Sequence, residues 1–161
     1  MIAQRLEKLR AILRERGIDW YIITGNDPHG SEYPGERWGT RAFISGFTGS
    51  AGTIAISQDR AVLWTDSRYF LQAEKELEGS GYELMKEGME GVPSLRRFLI
   101  DNAGKGMRIG VDSAAVSIAE YRSLSEGLAS VDAVIIDAGD LIDPIWEKRP
   151  PVPSEAPIRI I

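Results

Sequence analysis

Apolar residues recur with two periods along this chain. Ile2, Leu6, Leu9 and Leu13 are spaced by three or four, with Arg, Lys and Glu between them. That spacing predicts an amphipathic helix with one buried stripe, ended by Gly17 at its C′ position. WYIIT (20–24) is a short continuous apolar run and reads as a buried strand. RWGTRAFISG (37–46) has room for a helical turn or two before Gly46. GTIAIS (52–57) and AVLWT (61–65) are β-rich and separated only by QDR, which predicts a hairpin. DSRYFLQAEKEL (66–77) offers Asp66 or Ser67 as a helix cap and sets Phe70, Ala73 and Leu77 on one face. YELMKEG follows as a strand, and VPSLRRFLIDNAG as a helix with Pro93 near its start and Gly104 near its end. MRIGVD is a further strand. Ser117 and Glu120 form a capping box that opens a helix carrying Ile118, Tyr121, Leu124 and Leu128 on one face. VDAVIID predicts a last buried strand, and DLIDPIWEK a short closing helix. Strands and helices alternate around one early hairpin. The pattern predicts an α/β fold with a mixed sheet covered by helices on both faces.

Composition narrows the class further. The 161 residues suit one domain, and a chain of that size buries roughly 68–70% of its unfolded surface. There is no Cys, which excludes disulfide and thiolate chemistry and favours an intracellular setting. The net charge of −5 lacks the basic footprint of a nucleic-acid binder. No apolar run approaches the ~20 residues of a membrane span, and the charged N-terminal stretch is not a signal peptide. Of the 19 basic residues 14 are Arg; that suits carboxylate recognition, but codon bias produces the same skew. The tail EKRPPVPSEAPIRII holds four prolines and reads as an extended linker before a new apolar run, PIRII. The expectation is a folded domain over 1–146 and a linker over 147–161 that opens a further domain, the chain being cut at a domain boundary.

DPHGSEYPGERWGTRAFISGFTGSAG (27–52) is a long polar stretch with six Gly, two Pro and the single His. A connection of that length is usually functional or disordered. Gly46, Gly49 and Gly52 recur every third residue beside Thr48 and Ser50. The segment lacks the Lys of a phosphate-binding loop and precedes a strand instead of linking a strand to a helix. Tight backbone turns explain its glycines better. His29 and Glu32 read either as an acid–base pair or as a hydrogen-bonded loop anchor. A lone His does not make a multi-ligand transition-metal site. Asp66, Arg68 and Tyr69 follow a strand, where α/β folds place functional groups, and read equally as a helix cap with a surface ion pair. Trp20 and Trp64 lie in strands and are expected in the core, whereas Trp38 lies in the loop and is expected at an interface or rim. No complete catalytic constellation stands out.

These same stretches, with AVLWTDSRYFLQAEKEL and LIDPIWEKRPPVP, carry a resemblance. In order and spacing they are similar to the N-terminal domain of cytosolic-type Xaa-Pro aminopeptidases, members of the creatinase/prolidase group of "pita-bread" metallohydrolases. The resemblance covers nearly the whole chain. It implies a mixed, roughly six-stranded sheet of ribonuclease H-like type with helices on both faces. It implies a parent enzyme that releases an N-terminal residue preceding proline, using two divalent metal ions, usually manganese, held in a separate C-terminal domain. It implies no catalytic residue and no metal ligand in this stretch. The implied partners are that catalytic domain, a second copy of the chain in a cytoplasmic homodimer, and peptides with penultimate proline; nucleic acid and membrane are not implied. In the related creatine hydrolase the loop equivalent to Phe47–Ser50 serves the partner subunit's substrate site. The sequence has no Arg within 48–51, so Arg41 or Arg37 would supply any carboxylate clamp. The substrate-rim candidates are therefore His29, Glu32, Trp38, Arg41, Phe47, Thr48, Ser50, Asp66, Arg68 and Tyr69. Two other readings compete: a stand-alone creatinase-like peptide-binding module without catalysis, and a self-sufficient hydrolase using His29 and Glu32.

Overall fold

The structure, a computed structural model, describes residues 1–24 and 39–150. Of the candidates, His29, Glu32, Arg37 and Trp38 lie outside the described residues, as does the tail from 151.

Six strands form one sheet in the order β4-β3-β2-β1-β5-β6. They are β1 (Trp20–Ile23), β2 (Thr53–Ile56), β3 (Ala61–Thr65), β4 (Glu83–Lys86), β5 (Arg108–Val111) and β6 (Val134–Asp137). Only β2 runs against its neighbours β1 and β3; every other pairing is parallel. Period-two alternation decides which side chain faces which layer. Tyr21, Ile23, Ile54, Ile56 and Leu63 point to one face. There they meet Leu6, Leu9 and Leu13 of α1 (Ile2–Arg16), Ile44 of α2 (Thr40–Ser45) and Ala73 of α3 (Phe70–Glu76). Trp20, Ile22, Ala55, Val62 and Trp64 point to the other face, against Phe98 and Leu99 of α4 (Leu95–Asn102) and Leu124 and Leu128 of α5 (Ile118–Ala129). Trp20 and Trp64 both meet the Phe98 ring edge-on, at 5.3 and 5.1 Å. Each fully buried side chain of this size stabilises the fold by about 1.5–3 kcal/mol, so the two cores clamp the sheet from both sides.

Local chemistry sets the element ends. Gly17 adopts the left-handed conformation (φ 67°) that ends α1, its N–H reaching the Arg14 carbonyl. Asp66, Ser94 and Ser117 each accept a bond from a backbone N–H in the first turn that follows. The helix expected after Asp66 opens as a 3-10 turn, Ser67–Tyr69, before α3. The closing helix shrinks to one 3-10 turn, Asp143–Ile145. The strand expected to be buried over 131–137 is instead half exposed, with Val134 and Asp137 open to solvent. The reason is topological: β6 is an edge strand with a neighbour on one side only. Among the described residues no helix is long and apolar enough to cross a membrane.

The five parallel strands all end at one edge of the sheet, and β2 starts there. Segment 39–52 and the residues after β3 therefore share that edge with the exits of β1 and β5. From β1 the chain leaves toward β2; from β5 it leaves toward β6. Such a divergence opens a crevice at the carboxyl ends of an α/β sheet.

Candidate site on the carboxyl edge of the sheet

Helix α2 delivers Arg41 inward. Its Nη1 donates to the carbonyls of Gly52 (2.7 Å) and Thr24 (3.2 Å), and its Nη2 to that of Gly49 (2.6 Å). Three carbonyls, one just past β1 and two from the glycine turn, thus converge on one guanidinium. Burial pulls the Arg41 guanidinium below its ordinary range, a trend Tyr69 opposes. Its Nε is buried and makes no hydrogen bond among the described residues. Gly46 ends α2 with φ 81°, and its N–H reaches the Ala42 carbonyl. Phe47 then turns fully into the core. Its ring lies 5.9 Å beneath the Arg41 guanidinium carbon and meets Tyr69 edge-on at 6.1 Å.

Above this floor the turn presents polar groups to solvent. The Thr48 N–H and hydroxyl donate to the Glu76 carboxylate, at 3.2 and 2.8 Å. Gln72 Nε2 bridges the Thr48 hydroxyl and the same carboxylate. The carboxyl of Glu76 is pulled down by these bonds against an opposing burial effect. The Ser50 hydroxyl is bonded to that of Tyr69. Thr65, fully buried at the end of β3, donates to the Ala51 carbonyl at 2.7 Å and pins the turn to the sheet. Asp66 accepts two bonds from Arg68, at 3.0 and 2.8 Å, besides capping its backbone N–H. That pairing holds the Asp66 carboxyl low and raises Arg68. Arg68 also lies 5.1 Å over the Tyr69 ring.

Seven candidates therefore meet on one ledge. Thr48, Ser50 and Arg68 face solvent and Asp66 and Tyr69 are half-buried beside them, while Arg41 and Phe47 lie beneath as clamp and floor. Ledge hydroxyls and one exposed cation can hold a peptide backbone or a carboxylate.

Sequence reasoning missed a second polar group on the same edge, nearer β5. Tyr21 donates to the Gly139 carbonyl (2.7 Å) and accepts from the Leu141 N–H (3.1 Å). Burial raises its pKa. Burial, with Asp140 and Asp137 nearby, also pushes the Asp112 carboxyl up, whereas bonds from the Ser113 hydroxyl and N–H pull Asp137 down. Tyr21, Thr24, Asp112 and Asp140 line a cavity of about 30 Å³, room for about one water molecule. The available signal was that two strands, IGVD and VIID, each end in Asp. Among the described residues no three His, Cys, Asp or Glu side chains come together to hold a metal ion. The described residues do not fit a metal centre.

These residues build a three-layer α/β domain with a polar ledge on the carboxyl edge of a mixed sheet. Residues 5–145 match the model of the Creatinase/Prolidase N-terminal domain, and the chain belongs to that family. It is 42% identical over 159 residues to a probable Xaa-Pro aminopeptidase P of Aspergillus niger, covering 98% of this chain and 26% of that one. It is 41% identical over 164 residues to aminopeptidase P2 of Arabidopsis thaliana, covering 99% of this chain and 23% of the relative. The chain thus spans about a quarter of the length of these curated relatives. Among solved structures, X-prolyl aminopeptidase from Caenorhabditis elegans, described as a cytosolic enzyme with a di-nuclear active site, superposes with a TM-score of 0.88 at 28% identity. That match covers 94% of this chain and 26% of that one. The N-terminal domain of the cytoplasmic peptidase PepQ from Mycobacterium tuberculosis matches with a TM-score of 0.65 at 25% identity, over 88% of this chain and 98% of that one.

Proposed function

We propose that this chain is the non-catalytic N-terminal domain of a cytoplasmic Xaa-Pro aminopeptidase, and that its ledge forms part of the substrate-cleft rim in a homodimeric parent. The observation that carries the reading is the near-complete coverage of this chain by Xaa-Pro aminopeptidase relatives four times its length. In the parent, two divalent metal ions, manganese in this proposal, sit in a catalytic domain outside this chain and supply the hydrolytic chemistry. Peptides with penultimate proline are the substrates. The domain occupies 1–146, and 147–161 lead toward the next domain. On the rim, Thr48, Ser50, Arg68 and Tyr69 supply contacts, Asp66 orients Arg68, and Arg41 and Phe47 hold the turn in shape. His29, Glu32 and Trp38 are assigned to the rim on sequence grounds alone, since they lie outside the described residues. Remote contacts of this kind add binding energy that a hydrolase uses at the scissile bond.

The test compares this chain with its full-length parent on a Xaa-Pro peptide, with and without manganese. The chain alone releases no N-terminal residue. In the parent, Arg68→Ala raises KM or lowers kcat/KM with metal content unchanged. Turnover by the chain alone that vanishes on His29→Ala would overturn the assignment, and unchanged kinetics in a folded Arg68→Ala parent would remove Arg68 from the rim.

A further inference from the structure

Four flat side chains are stacked where α1, α2 and the exit of the chain meet. The Arg5 guanidinium of α1 lies 4.0 Å from the centre of the Phe43 ring. Phe43, on α2, stacks on Trp146 at 4.5 Å with only 17° between the rings. The Arg149 guanidinium lies 5.2 Å from the Trp146 ring. The order is cation, ring, ring, cation, and each interface is of a favourable kind.

Both cations are also fixed from the side. Arg5 donates to the Phe43 carbonyl at 2.7 Å. The Arg149 side chain is only 4% exposed and donates to Asp140 at 2.6 Å and to Asp143 at 3.2 Å. The other Asp140 oxygen accepts from the N–H groups of Ile142 and Asp143 and so shapes the turn that leads to Trp146. Phe43 lies two residues from Arg41 on the same short helix, and Arg41 holds the carbonyls of Gly49 and Gly52. An unbroken run of contacts therefore joins Arg149 to the turn carrying Thr48 and Ser50.

We infer that Trp146 and Arg149 are positioning residues: through Phe43 they hold α2, and with it the ledge turn, to the segment by which the chain leaves the domain. A movement of that segment moves the ledge. The coupling is a property of the domain itself, and only its use in setting a substrate rim rests on the proposed function. A buried charge must be paired to be tolerated, and Arg149 meets that condition through Asp140 and Asp143, which ties the stack to the exit turn.

Hydrogen exchange on this chain tests the inference. Trp146→Leu keeps an apolar side chain but removes the stack. The expected result is about tenfold faster exchange of the protected amides in both 43–48 and 142–149, with α4 and α5 unchanged. Trp146→Phe restores both segments together. Arg149→Gln leaves the core intact and produces the same paired effect more weakly. Faster exchange confined to 142–149, or spread evenly over every element as in global destabilisation, overturns the inference. These readouts are independent of peptidase activity.

Discussion

Gly49 lies against the edge of the Phe47 ring so closely that a methyl group built on it would stand 2.3 Å from the ring's Cζ and 2.9 Å from Cε1. The ring is itself fully buried and has nowhere to retreat. The glycine is thus required by packing. Gly49→Ala should destabilise the chain by about 1–3 kcal/mol, the usual cost of overfilling a packed site. Urea midpoints measure the loss. In a Phe47→Leu background the same substitution should cost much less; an equal cost in both backgrounds contradicts the contact.

Arg41 donates from its two terminal nitrogens to three backbone carbonyls. Arg41→Met keeps the stem and removes every donor. The carbonyl of buried Gly49 left unpaired costs about 1–3 kcal/mol, and those of half-buried Thr24 and Gly52 less, because water reaches them. For a domain of this size the expected fall in Tm is roughly 5–10 °C. Arg41→Lys should recover only part of it, because a single ammonium cannot reproduce the guanidinium fork. Any kinetic loss in a full-length Arg41 variant should then track its stability. An unchanged Tm for Arg41→Met removes the clamp.

Asp112 is pushed above its ordinary value by burial and by its acidic neighbours. A carboxyl raised in this way binds its proton more readily in the folded state. Its contribution is therefore favourable below the unfolded pKa and is lost as pH rises through the folded value. Asp112→Asn keeps an oxygen to accept from the Ala114 N–H, as Asp112 does at 3.0 Å, and removes the charge. The variant should be more stable than the parent chain at pH 7, by a margin that solvent screening of the half-buried Asp112 keeps small. The difference should fade as pH falls through the ordinary value of 3.8. Urea midpoints at pH 7 and pH 3.5 check both the sign and the fading. A variant less stable at pH 7 refutes the account.

Much of the fold was legible because its information is local. The stripe of Leu6, Leu9 and Leu13, the hairpin around Gln58-Asp59-Arg60, and the caps at Asp66 and Ser117 all depend on neighbours within a few residues. The exposure of β6 was not legible, because an edge position follows from strand order and VDAVIID reads the same in either place. On the ledge, the residue types were legible but not their roles. Phe47 stands alone among glycines, so no periodicity announces that it is core. Arg41 pointed to an acidic ligand from sequence, yet its partners are backbone carbonyls 8, 11 and 17 residues away, which no side-chain pattern encodes. The pairing of Arg149 with Asp140 spans an irregular turn and was likewise silent.

The stack of Arg5, Phe43, Trp146 and Arg149 also brings the first helix and the last described residues to one corner of the domain. Met1, Gln4 and Lys8 border the same groove as Trp146 and Lys148. A domain whose two ends lie side by side behaves as a loop with a seam, and the seam can be moved. Residue 150 joined to residue 1 by a short flexible bridge, with new ends opened at the exposed Lys105–Gly106 turn, would leave every strand pairing in place. The order in which the chain visits its elements is thus separable from the architecture they build.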